Sequence, residues 1–192
     1  MASYQKDSSM SYGARQENDS VFHHIGRGLY LVESEYQGVK KVHLRYYNTN
    51  NQGQLYPSKN GIALSLESVV EVINLMSDLK EAIKNLQSKE DVAFHHHIGC
   101  GNHLSINTSY GHPVHVRRWF KLDDMPEAKP TKTGVTLKVL EIMELEKALK
   151  KLTFSIPNLM TDYEHPFHNG QLEHFTCKYC CPYDYKRKLL QL

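Results

Sequence analysis

The chain has 192 residues, 40% of them hydrophobic and 23% charged, with a formal charge of +2. This composition supports a packed core and excludes both a low-complexity chain and one carrying a long uncharged apolar run, so no membrane role is expected. A charge this small also means that a polyanionic partner would be met by a local basic surface, not by the field of the whole molecule.

Residues 1–20 are mostly Ser, Gln, Asn, Asp and Lys with few large aliphatics. Such a segment cannot bury enough apolar surface to offset the entropy of ordering, and a flexible tail is expected. It lacks the charged start and apolar stretch of a secretory leader, and three of the four cysteines lie together near the C-terminus instead of forming a disulfide framework. A reducing compartment, cytosolic or nuclear, follows as the expectation.

Beyond the tail the chain repeats itself. Phe22-His23-His24-Ile25-Gly26-Arg27-Gly28 returns as Phe94-His95-His96-His97-Ile98-Gly99-Cys100-Gly101, and Val42-His43-Leu44-Arg45-Tyr46-Tyr47 returns as Val114-His115-Val116-Arg117-Arg118-Trp119. Pro57-x-Lys59-x-Gly61-Ile62-x-Leu64 is matched by Pro130-x-Lys132-x-Gly134-Val135-x-Leu137. Two modules are expected, over 21–88 and 92–155, with a polar joint between them and an extension over 156–192.

In the first module Leu29–Tyr36 reads as a strand stopped at Gly38, and Lys40–Tyr47 as its antiparallel neighbour. Period-two geometry sets Val42 and Leu44 on one face and His43, Arg45 and Tyr47 on the other. Asn48–Gln54 reads as a turn and Tyr56–Leu64 as the last strand. The period then changes: Leu66, Val69, Val70, Ile73, Met76, Leu79, Ile83 and Leu86 mark one amphipathic helix with Ser65 as its N-cap. In the second module Val114 and Val116 oppose His115, Arg117 and Trp119. Val139, Ile142, Met143, Leu145, Leu149 and Leu152 form the helix stripe, with Glu146 and Lys150 spaced to pair on its wet side. The expected fold is α+β: two tandem modules, each a curved four-stranded antiparallel sheet followed by one helix. A module of this size is marginal alone, so the two are expected to pair within the chain as a pseudo-dimer.

The ordered set of motifs resembles the DNA-binding domain of the transcriptional coactivator called positive cofactor four, here in two tandem copies. The resemblance implies a four-stranded curved sheet with one helix, pairing through helices, and binding of single-stranded or melted DNA across both sheets. It also implies contact with the transcription machinery of RNA polymerase II in the nucleus, without catalysis. Arg45 and Arg117 match the family's strand arginine, Tyr47 and Trp119 the aromatic two residues on, and Lys59 and Lys132 the first basic residue before the glycine. The family's next tryptophan is Asn48 in one copy and Phe120 in the other, and its second basic residue is Asn60 and Thr133. Tyr36 takes the place of a turn aromatic, with Tyr110 as its nearest counterpart. The two halves are therefore expected to bind unequally.

The residues support the same reading independently. Sequence-tolerant binding of an unpaired strand needs cations that follow phosphates and flat rings on which bases stack. Arg45, Lys59, Arg117 and Lys132 supply the cations, Tyr36, Tyr47, Tyr110, Trp119 and Phe120 the rings, and His43 and His115 share their face. An ordinary solvated sheet face would use Lys and Arg to cover exposed rings; recurrence of the pattern in both copies favours binding. The alternative function is an assembly or interaction protein, cellular or viral, that reuses the fold.

His95 and His97 are alternate residues of the kind found in nuclease metal pairs, yet no acidic cluster accompanies them and the first copy lacks the spacing; they read as strand histidines. DNA binding is expected to need no cofactor. The extension holds a separate candidate, a structural zinc site from Cys177, Cys180, His165 and His168, with His174 as an alternative ligand.

Overall fold

The computed structural model describes residues 22–88, 92–108, 113–121 and 128–156. Among them lie two four-stranded antiparallel sheets, each in simple sequential order and each followed by helix. The first contains β1 (Phe22–Gly26), β2 (Leu29–Tyr36), β3 (Val39–Thr49) and β4 (Leu55–Leu64), then α1 (Leu66–Asn74) and α2 (Met76–Gln87). The second contains β5 (His95–His97), β6 (Asn102–Ile106), β7 (Val114–Phe120) and β8 (Lys129–Leu137), then α3 (Val139–Ser155).

The first hairpin of each sheet turns on a Gly-x-Gly corner. Gly26, Arg27 and Gly28 all have positive φ (148°, 48° and 73°), as do Gly99, Cys100 and Gly101 (97°, 53° and 72°). Glycine enters that region without the Cβ clash that other residues suffer. The corners fix a common register. His24, Tyr30, Arg45 and Gly61 lie abreast across the first sheet, and His97, His103, Arg117 and Gly134 across the second. The additional histidine of the second copy is accommodated at the start of its strand, where His95 stands opposite Ser105 as Phe22 stands opposite Val32. The structure thus aligns His95, not Phe94, with Phe22.

Two local expectations are corrected. The polar turn is shorter than Asn48–Gln54, because β3 runs to Thr49 and the chain reverses over Asn50–Gln54. There the Asn50 side-chain oxygen accepts from the amides of Gln52 and Gln54, each at 2.9 Å. The long helix of the first module is divided at Leu75. Upstream, Val69, Val70 and Val72 are all buried, a wide face rich in β-branched side chains that crowd the preceding turn. Downstream, the narrower stripe Met76, Leu79 and Ile83 takes over. Ser65 caps α1 as expected, its hydroxyl accepting from the Ser68 amide at 3.3 Å.

One apolar cluster serves both sheets. Leu29, Leu31, Val42, Leu44, Ile62 and Leu64 from the first join Leu104, Val114, Val116, Val135 and Leu137 from the second, together with residues from all three helices. α3 packs against β1, α1 packs against β3, β4 and α3, and β4 meets β8. The third residue of each first-turn helix sits on the corner glycine of the other unit: a Cβ on Gly26 would lie 2.8 Å from Glu141 Oε1, and one on Gly99 would lie 3.0 Å from Ser68 Oγ.

These two seats differ in charge. Glu141, 5% exposed, accepts from Arg27 Nε at 2.6 Å and Arg27 Nη2 at 2.7 Å, and it also caps the Lys138 amide at 2.8 Å. Cys100 occupies the place of Arg27 in the other corner, whose Gly99 meets the neutral Ser68. A second ionic contact joins α2 to α3, where Glu146 accepts from Lys80 and from Lys150, both at 3.0 Å.

Arg27→Ala is expected to lower unfolding free energy by roughly 1–3 kcal/mol, since it strands the buried Glu141 carboxylate while the partly exposed guanidinium limits the loss. Adding Glu141→Gln should recover part of it in urea unfolding.

Candidate nucleic-acid interface

On the side of each sheet away from the shared core, one local distortion arranges the cationic residues. Opposite β3 the pairing jumps from Arg45–Gly61 to Tyr47–Pro57, and opposite β7 from Arg117–Gly134 to Trp119–Pro130. Ser58-Lys59-Asn60 and Thr131-Lys132-Thr133 are therefore bulged out of the ladder, a device that redirects side chains and increases twist.

Both bulges are closed identically. The Ser58 hydroxyl accepts from the Asn60 amide at 3.1 Å, and the Thr131 hydroxyl accepts from the Thr133 amide at 3.1 Å. Arg45 Nη1 donates to Ser58 O at 3.0 Å, and Arg117 Nη1 donates to Thr131 O at 2.8 Å. Each arginine is thereby held over its bulge with other guanidinium donors left to point elsewhere, and the central lysine, Lys59 or Lys132, is exposed. The glycine of the Pro-x-Lys-x-Gly motif has a steric cause. A Cβ on Gly61 would lie 2.8 Å from Arg45 Cβ, and one on Gly134 would lie 2.8 Å from Arg117 Cα.

Rings line the same faces. In the first sheet His24 and Tyr30 are 4.9 Å apart and Tyr30 and Tyr47 are 5.4 Å apart, centroid to centroid. In the second, His97 and His103 are 5.1 Å apart, and Trp119 packs 5.4 Å from His103 and 4.5 Å from His95. His24, Tyr30, His95, His97 and His103 were not among the candidate binding residues. The signal for them was period two on the neighbouring strands, which places Tyr30 and His103 beside the arginine of β3 or β7.

The expected residues are distributed as follows. His43, Arg45, Tyr47, Arg117 and Trp119 are half-buried on the outer faces, while Lys59, Lys132 and Phe120 are exposed. Tyr36 lies at the far end of β2, 63% exposed. His115 is buried at 9% exposure, with its Nε2 3.3 Å from the Asn107 carbonyl. Tyr110, Cys177, Cys180, His165 and His168 lie outside the described residues. Among the described residues no group of three or more His, Cys, Asp or Glu side chains could hold a metal ion, and no helix is long and apolar enough to cross a membrane.

Burial is the first cause that lowers the pKa of His43, followed by the charges of Arg45 and Lys41. Burial likewise lowers His95, with His96 adding to it.

Residues 28–75 match the model of a family described as Transcriptional Coactivator p15 (PC4), a family of DNA-binding coactivator domains. The match runs from the Gly28 corner through β2, β3, β4 and α1. No curated protein matches the chain.

Gly61→Ala and Gly134→Ala should each cost roughly 1–3 kcal/mol through overpacking against the arginine strand, read as a lower urea midpoint. Folded His43 and His95 resist protonation, so below the unfolded value of about 6.5 the unfolded chain binds more protons. Stability should therefore be full above that pH and fall as pH drops toward the lower folded values. His43→Gln should flatten the decline between about pH 7.5 and about pH 5.5.

Proposed function

We propose that the chain binds single-stranded or melted DNA with low sequence specificity, using both outer faces, and acts without catalysis as a nuclear coactivator or regulator of RNA polymerase II transcription. The observation that carries this reading is the repetition, in the same register on two sheets of one body, of an arginine tied to a bulge, an exposed lysine at the bulge tip and an aromatic ring beside them. The family match over residues 28–75 supports it for the first unit, and the register correspondence extends it to the second.

Each component has a physical role in that function. Arg45, Arg117, Lys59 and Lys132 are spaced to follow phosphates, and Tyr47 and Trp119 offer faces for unpaired bases at roughly 1–3 kcal/mol per stacked base. The guanidiniums stay anchored by a backbone carbonyl, so little side-chain freedom remains to be lost on binding. Among the described residues no arrangement of base-edge readers recurs between the units, in keeping with weak sequence preference.

One observation favours the alternative assembly role: α3 leaves Leu140, Met143 and Phe154 at 77%, 54% and 89% exposure. Anisotropy of a labelled single strand beside a duplex of equal length separates the readings. Preference for the single strand supports DNA binding, while indifference combined with concentration-dependent self-association supports assembly.

Arg45→Glu with Arg117→Glu should abolish single-strand binding, and Lys59→Glu with Lys132→Glu, which leaves the bulge bonds intact, should weaken it at least tenfold. With four to eight phosphates engaged, log K against log salt should fall with a slope of roughly −3 to −6. Unchanged affinity in folded variants would reject the assigned faces.

A further inference from the structure

The two faces are alike in layout and different in chemistry, and the difference centres on Trp119, the single tryptophan of the chain. In the first sheet the ring beside Tyr47 is the phenol of Tyr30. In the second sheet the same register position is His103, 2% exposed, whose Nδ1 lies 2.9 Å from His95 Nε2. Both imidazoles also pack on the indole of Trp119, at 5.4 and 4.5 Å. An indole fixed on one side by two hydrogen-bonded rings is a preorganised stacking platform.

We propose that His95 and His103 are positioning residues for Trp119: their hydrogen-bonded pair holds the indole as the base-stacking platform of the second sheet and makes strand binding there proton-linked, tighter at lower pH. The inference rests on the single-strand-binding reading and assigns a control to one of its two faces.

The chemistry follows from the contact. A neutral pair shares one N–H between the two facing nitrogens. A single added proton leaves that N–H···N bond in place and puts a charge against the indole face, where a cation is favoured. Among the described residues, the groups facing the pair are basic or neutral. His97 stands beside it on β5, and Arg117 is the register neighbour of His103 on β7. His115 stands opposite Ser105 in the next row, and burial, followed by the charge of His96 on the reverse side of β5, already lowers the His95 pKa. β8 contributes Gly134 and Thr136 opposite Arg117 and His115, neither of them titratable. The added charge is therefore unfavourable in the free protein and becomes favourable once phosphates lie over Arg117, so binding takes up a proton. Tyr30 cannot do this, since a phenol has no basic ring nitrogen to take up a proton.

The test uses the full chain, with Trp119 emission as a reporter of this face alone and a labelled oligothymidylate for anisotropy, at about pH 7.5 and about pH 6 in constant salt. For wild type, Kd read from Trp119 should fall several-fold at the lower pH, within the limit of about tenfold per pH unit set by one proton. Emission of the strand-saturated protein should also be lower at about pH 6 than at about pH 7.5, because an imidazolium in contact quenches indole. His103→Gln and His95→Gln should each reduce the pH ratio of Kd to under about twofold and remove the acid quench, while both still bind at the higher pH. His95 is only half-buried, so its variant stands if the His103 variant fails to fold. His23→Gln, on β1 of the other sheet, should leave the Trp119 readings unchanged.

A pH-independent Kd in wild type, or a pH ratio retained in the histidine variants, overturns the inference. Anisotropy that rises while Trp119 emission stays constant also overturns it and leaves single-strand binding intact. Absence of any anisotropy change at either pH overturns the single-strand reading itself, and the inference with it.

Discussion

Everything in this molecule depends on neither sheet being able to bury its own apolar face. Each unit presents one row of Val, Leu and Ile, and together with the three helices these rows close into a single core. The seats at the corner glycines show how closely the units are fitted, since a Cβ on Gly26 or Gly99 would crowd the side chain of Glu141 or Ser68. Burying a carboxylate there is tolerable because Arg27 meets both of its oxygens and the Lys138 amide donates to one of them. The ionic seat on one side and the neutral seat on the other make the joint directional: the first unit's corner suits the second unit's helix and would leave an unmatched charge against its own kind.

With the apolar faces consumed by that core, the opposite faces are free for function, and their layout is dictated by backbone. The three-residue bulge in β4 and in β8 lifts a lysine away from the sheet and brings a carbonyl beneath the neighbouring arginine. A hydroxyl at the first bulge position closes the loop, and a glycine after the bulge allows the strand to return against the arginine. Pro-x-Lys-x-Gly is thus the sequence image of a backbone device, and the cations are its consequence. The ring beside each arginine then sets the character of the face, tyrosine on tyrosine in one unit and tryptophan on a histidine pair in the other.

That inequality gives duplication inside one chain a consequence that identical protomers cannot have. Two copies of the same chain would present two equal platforms. Here His103 can replace Tyr30, and Trp119 can replace Tyr47, without disturbing the partner face, so the halves are free to differ in stacking area and in response to protons while the shared core is kept.

The repeated motifs, the alternation that separates core from outer face, the Ser65 cap and the Glu146–Lys150 pair were legible in the chain, because each is a matter of spacing along one strand or helix. It also placed Arg45, Lys59, Arg117 and Lys132 in equivalent positions. It took the folded molecule to reveal that Arg27 meets Glu141, that Lys80 bridges to Glu146, that His95 belongs with Phe22 in register, and that the first helical run breaks at Leu75. It alone buried His115 and gathered His95 and His103 around Trp119. These features join residues far apart in the chain or depend on strand register, and neither distance across a fold nor register is written in local periodicity.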